Sequence, residues 1–212
     1  YWSESIEDER WSLQTHSKIR VMETGSKKKR TLKNDRLLYN PVSISKHHIS
    51  TIQYNIDGTS EVSILNKSSG KKLVSYPAPD SVQFVEAAII GNDIYVIGIS
   101  DNGYGIYKKY GVDSFVSWDC VLAPQPVMIK DFTSYDGELI FACDRTGVNE
   151  LYHLNPSDGI LRQKTSLRYG ASDFQYSEDG KWLYYSSQTL EGKRIFKTST
   201  DSLMDKRVDF TD

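Results

Sequence analysis

No stretch of these 212 residues approaches the roughly 18 consecutive apolar residues of a transmembrane helix, so no helical membrane span is expected in this chain. Sustained apolar stripes at helical spacing are missing too, which predicts almost no helix. Neither sign of charge is in excess. The 26 Lys and Arg stand against 28 Asp and Glu, which leaves no electrostatic footprint for nucleic acid. The one basic run, Lys27-Lys28-Lys29-Arg30, falls beside a predicted hairpin turn and reads as a solvated strand end. Cys120 and Cys143 are too few for a disulfide framework and are expected as free, buried thiols on neighbouring units.

Motifs that carry chemistry are also missing. There is no Gly-x-Ser-x-Gly elbow, no His-Glu-x-x-His, no phosphate-binding glycine loop and no Cys-x-x-Cys. The alternating acids of a calcium loop are not found. His47 and His48 are adjacent, so on a strand they point to opposite faces and make a poor ligand pair. The carboxylate pairs Asp136/Glu138 and Glu178/Asp179 fall in hairpin turns, where Asp bonds its own backbone. With only four histidines, a catalytic centre of convergent His, Arg and acids is not expected. The chain reads as a non-enzyme, with no catalytic residue, metal or cofactor.

What the chain does have is aromatics (14 Tyr, 7 Phe, 4 Trp) and regularly placed glycines. Gly58, Gly103, Gly147 and Gly192 follow one another at steps of 45, 44 and 45. A second series of tight turns runs through Lys46-His47, Gly91-Asn92, Asp136-Gly137 and Asp179-Gly180. A third runs, more loosely, through Gly25, Gly70, Gly111 and Gly159. Three series in fixed order imply a duplicated four-stranded unit, hence a β-propeller. Each unit reads strand, turn, strand, loop, strand, turn, strand, with Asp-Gly as the strongest hairpin signal. The expected fold is all-β: one domain over 1–212, four full four-stranded blades plus one partial. Blade limits fall near 1–36 (partial), 37–80, 81–124, 125–167 and 168–212. Ala78-Pro79 and Ala123-Pro124-Gln125-Pro126 read as crossovers between blades.

The first unit has no inner strand before Tyr1. Either the chain is a fragment of a larger propeller, or its C-terminal segment near Val208 completes the first blade. The fragment is preferred, because Arg207 to Phe210 is already needed as the outer strand of the fifth unit. Trp182 lies on an alternating strand and is expected between blades, and Trp118 is expected to end an outer strand.

The run Asp144-Arg-Thr-Gly-Val-Asn-Glu-Leu-Tyr-His-Leu154, then Arg168-Tyr-Gly-Ala171 and Tyr176-Ser-Glu-Asp-Gly180, resembles the TolB-like, WD40-like propeller repeats of large Bacteroidetes cell-envelope proteins. The opening Tyr1-Trp-Ser-Glu4, with Arg10-Trp11 and Lys18-Ile-Arg20, is similar to a segment of the same propellers. Ser45-Lys46-His47-His48 and Ile90-Gly91-Asn92-Asp93 depart from the Ser-x-Asp-Gly turn, so the repeat is degenerate. The resemblance implies an exported protein, periplasmic or attached to the outer membrane, with further domains tethered to this one. It implies a binding or scaffold module for a protein or glycan partner, or alternatively a propeller that gates a peptidase-like domain elsewhere. The loops from Ser5 to His16, Asp144 to Gly147 and Arg168 to Gly170 should share one face. Arg10, Trp11, Arg145 and Tyr169 are the contact residues expected there.

Overall fold

The computed structural model describes residues 1–7, 15–32, 37–111 and 117–209. Among them the chain forms five antiparallel sheets. The first holds β1 (Trp2–Glu7), β2 (Thr15–Met22) and β3 (Lys29–Leu32). The second holds β4 (Leu37–Ser43), β5 (His48–Tyr54), β6 (Ser60–Asn66) and β7 (Lys72–Pro77). β8 (Gln83–Ile90), β9 (Asp93–Ser100), β10 (Gly103–Lys109) and β11 (Asp119–Gln125) make the third. The fourth holds β12 (Ile129–Tyr135), β13 (Glu138–Cys143), β14 (Glu150–Leu154) and β15 (Leu161–Gln163). β16 (Ser172–Tyr176), β17 (Trp182–Thr189) and β18 (Gly192–Ser199) make the fifth. A last strand, β19 (Lys206–Val208), follows a single 3-10 turn at Thr200–Ser202.

The turns form where the glycine series places them. Asp136 and Gly137 both take positive φ between the paired residues Tyr135 and Glu138, as a two-residue hairpin turn of the right-handed ribbon requires. A second repeated device lies in the inner strands. β4, β12 and β16 each carry a bulge, at Asn40, Asp131 and Asp173, and all three residues have positive φ. Asn and Asp tolerate that conformation better than other side chains. Their side chains also tie one sheet to the next: Asn40 Oδ1 accepts from the Ala87 N–H (2.9 Å) and Asp131 Oδ2 from the Asp173 N–H (3.0 Å).

The chain divides into two compact units, Tyr1–Ser100 with Lys108–Asp119, and Asp101–Tyr107 with Cys120–Asp212. In the first, alternate residues of β2 and β3 (Ile19, Val21, Leu32) pack on Leu38, Ile49 and Leu65 of the second sheet. In the second, Ile140, Ala142 and Leu151 meet Ala171, Phe174, Tyr176 and Leu183 across two sheets. Full burial of each such aliphatic side chain contributes about 1.5–3 kcal/mol.

Several expectations need correction. The sheets have three, four, four, five and three strands, rather than four full blades and one partial. Arg207 and Val208 neither complete the fifth unit nor close the first. They belong to β19, which pairs antiparallel with β15 and makes the fourth sheet five-stranded. Contacts with a distant part of the chain hold it there: Asp205 ion-pairs with Lys164 (2.5 Å) and Arg162 (3.3 Å), and the Met204 N–H bonds the Lys164 carbonyl, which keeps the chain along the short β15 edge. Pro124 lies inside β11, an outer strand, rather than in a crossover; an edge is where a strand tolerates proline. Trp182 is not buried between blades but 38% exposed, with the Lys197 ammonium 3.8 Å from its ring. Trp118 stands just before β11, with its indole N–H donating to the Pro77 carbonyl and its ring edge-on to Phe84. Cys120 is exposed and only Cys143 is buried, where desolvation pushes its thiol up to about 11.

Candidate functional site

Two of the concavities of the second unit bring together aromatic and charged side chains. The larger is a groove of about 670 Å³ beside the fifth sheet. Its floor follows from strand register: Tyr185 of β17 is paired with Phe196 of β18, their rings stack at 5.6 Å, and Ser187 is paired with Arg194. The hairpin tip, Leu190 and Glu191, and a wall from the connection bearing Leu167, Arg168 and Tyr169 complete the lining. Arg168 lies over the Tyr169 ring, 5.2 Å from its centre.

That wall is held from below. The Glu150 carboxylate, 2% exposed as a residue, accepts from the Thr165 hydroxyl and the Leu167 N–H. The Gly170 carbonyl accepts from the Ser187 hydroxyl (2.6 Å), and the Ala171 N–H donates to the Asn149 carbonyl (2.7 Å). Gly170 has positive φ, and a Cβ there would lie 2.9 Å from the Asn149 nitrogen, so only glycine admits this approach.

Tyr169 is 65% exposed and lines the groove. Gly170, next to Tyr169, approaches Val148 and Asn149, just after the Arg145 loop. The Arg145 charge acts on Cys143 and Tyr152. Arg10 and Trp11 lie outside the described residues.

The smaller concavity, about 330 Å³, holds a constellation that spacing alone did not reveal. His153, 5% exposed, bonds Glu138 through Nδ1 (2.7 Å) and the Tyr176 hydroxyl through Nε2 (2.9 Å), while Tyr135 stacks on Tyr176 at 4.2 Å. A carboxylate only accepts, so Nδ1 carries the proton and Nε2 accepts from the tyrosine. Both imidazole nitrogens are thereby used, and burial pushes the Tyr176 hydroxyl far above its ordinary value. The chain Glu138–His153–Tyr176 joins β13, β14 and β16 and so ties the fourth sheet to the fifth. The sequence shows only a histidine within the run Glu150-Leu-Tyr-His-Leu154; its pairing with Ile140, which packs in the core shared with the next sheet, is what makes it need partners.

Burial lowers the His153 pKa below the ordinary imidazole value of about 6.5. The unfolded chain therefore takes up the proton first as pH falls. The contribution of His153 is complete above about pH 6.5 and is lost toward its lower folded value. Thermal unfolding followed from about pH 8 to about pH 5 should show this loss, and His153→Leu should flatten it while costing about 1–2 kcal/mol at neutral pH. A variant retaining the wild-type slope would disprove the assignment.

No family model matches the chain, and no curated protein matches it by sequence. Solved structures do match in shape. TolB from Acinetobacter baumannii superposes with a TM-score of 0.70 at 11% identity, over 90% of this chain and 48% of its own. A putative TolB from Agrobacterium tumefaciens gives 0.68 at 14% identity, over 91% and 69%. A puromycin-hydrolyzing peptidase of Mycobacterium tuberculosis gives 0.61 at 16%, over 88% and 31%. This chain thus spans about half the length of the Acinetobacter protein. Identities this low speak for the fold alone, and the fold shared with these proteins is a β-propeller, with five small antiparallel sheets among the described residues.

Proposed function

We propose that this propeller is a non-catalytic binding module of an exported, envelope-associated protein, and that its groove beside the fifth sheet receives a protein or glycan partner. The observation that carries this reading is the groove itself: aromatic walls from Tyr169, Tyr185 and Phe196, with the guanidinium groups of Arg168 and Arg194 at its lining. Aromatic faces beside fixed charges suit peptide side chains and sugar rings alike. The TolB likeness supports a module of this kind, and fold analogy goes no further. A propeller serving a peptidase domain is the second reading, favoured by the likeness to the puromycin-hydrolyzing peptidase.

Wild type and the Tyr169→Ala/Phe196→Ala variant should be compared for binding to purified envelope proteins and to an array of bacterial glycans. The variant is expected to lose the partner by about tenfold or more in affinity, with its unfolding transition intact. Retention of every partner by the variant would rule the groove out.

A further inference from the structure

β18 is the longest outer strand left uncovered among the described residues. It runs for eight residues, neighbours only β17 in its sheet, and is exposed along most of its length. The other outer strands are short, interrupted or covered. β3 has four residues, β7 ends in Pro77, β11 contains Pro124, and β15 is paired by β19. Those are the common protections of a sheet edge, and β18 has only its charge.

Register decides which backbone groups are open. Leu190 and Glu191 form a two-residue loop between the paired Thr189 and Gly192. Gly192, Arg194, Phe196 and Thr198 therefore exchange hydrogen bonds with β17, and the N–H and C=O groups of Lys193, Ile195 and Lys197 face outward. Ile195 is 82% exposed and shares its face of the sheet with Trp182 and Tyr184. Phe196, on the opposite face, leads into the groove.

Charge selects the occupant. β18 carries Lys193, Arg194 and Lys197 and no acid. A second copy adding its own β18 antiparallel about Ile195 would set Lys193 against Lys197, and like charges directly opposite destabilise a pair. Asp173 and Glu191 pair with Lys193 and Arg194 at exposed positions, where such pairs weigh little. We infer that β18 accepts, as a fourth antiparallel strand, an extended acidic segment of a partner polypeptide. Its acids face Lys193 and Lys197, and its apolar residues lie beside Ile195 and Phe196. The inference rests on the proposed binding role and narrows the partner to polypeptide.

Three fluorescent peptides of about eight residues test it by anisotropy: one acidic and apolar, its basic counterpart, and the acidic one N-methylated at alternate positions. The acidic peptide should bind. Methylation, or Ile195→Pro, which removes an outward N–H and leaves the β17 ladder whole, should weaken it about tenfold or more. Lys193→Glu with Lys197→Glu should transfer the preference to the basic peptide. Equal binding by the methylated peptide, or by Ile195→Pro, overturns strand addition. No peptide binding while Tyr169→Ala/Phe196→Ala still loses the groove's partner sinks this inference and leaves the groove reading standing. Peptide binding alongside an unaffected groove variant does the reverse.

Discussion

Gly103→Ala is expected to cost about 3–5 kcal/mol, against about 1–2 kcal/mol for the same change at Gly58, Gly147 or Gly192. All four glycines recur at the same place in the repeat, Gly58 and Gly147 in loops and Gly103 and Gly192 as the first residues of β10 and β18, and all have positive φ, between 83° and 109°. A side chain at any of them is strained by conformation alone. Space separates them. A Cβ at Gly58, Gly147 or Gly192 meets nothing within 4 Å, whereas at Gly103 it would stand 1.9 Å from the Gln125 carbonyl oxygen and 2.5 Å from its carbon. Both are backbone atoms at the end of β11, so the clash cannot be relieved by a rotamer change. Either β10 or β11 must shift, and their pairing is lost at that end. Urea unfolding of the four single variants measures the difference, and hydrogen exchange in β10 and β11 locates it. A Gly103→Ala cost within about 1 kcal/mol of the Gly58→Ala cost would show that the strands separate freely.

The same glycines explain how much of this fold is legible in the sequence. Positive φ is a demand of single residues, and it leaves its mark wherever the unit recurs, so the turns and most strands follow from spacing. The bulges at Asp131 and Asp173 left a mark too, in the pairs Asp131-Phe132 and Asp173-Phe174. That mark is short and becomes meaningful only beside the register shift that it accompanies. The placement of β19 is of another kind. Lys206-Arg207-Val208 alternates as any edge strand would, and its choice of β15 depends on Asp205 finding Lys164 and Arg162, some 40 residues earlier. His153 sits within the apolar run Glu150-Leu-Tyr-His-Leu154, and its partners come from β13 and β16. The exposure of Tyr169 was legible because its Tyr-Gly pair falls on a connection between sheets. The direction of the Arg145 side chain was not, because a loop position alone does not tell which way a long side chain turns.

Glu150→Ala should cost about 3 kcal/mol and, with it, the groove. Glu150 opens β14, and its carboxylate closes a relay: the Leu151 N–H donates to the Thr165 hydroxyl at 2.9 Å, that hydroxyl donates to Glu150, and so does the Leu167 N–H. Alanine leaves a buried hydroxyl and a backbone N–H without their acceptor. The segment released is the one that presents Leu167, Arg168 and Tyr169 to the groove. Burial raises the Glu150 pKa, more than the two hydrogen bonds lower it. A raised carboxylate holds its proton more firmly in the folded chain, so its share of stability is greatest below the ordinary value of about 4.3 and declines as pH rises through the folded value. At neutral pH the charge is therefore held at a cost, which a neutral isostere avoids. Glu150→Gln keeps an acceptor for the Leu167 N–H and can donate to the Thr165 oxygen, leaving one hydroxyl proton to find a partner, and should cost about 1 kcal/mol. Chemical unfolding ranks the two variants, and partner capture reports on the wall. If Glu150→Ala unfolds no more readily than Glu150→Gln and captures as wild type does, the carboxylate does not hold that wall, and the groove's shape must come from Gly170 and Ser187 alone.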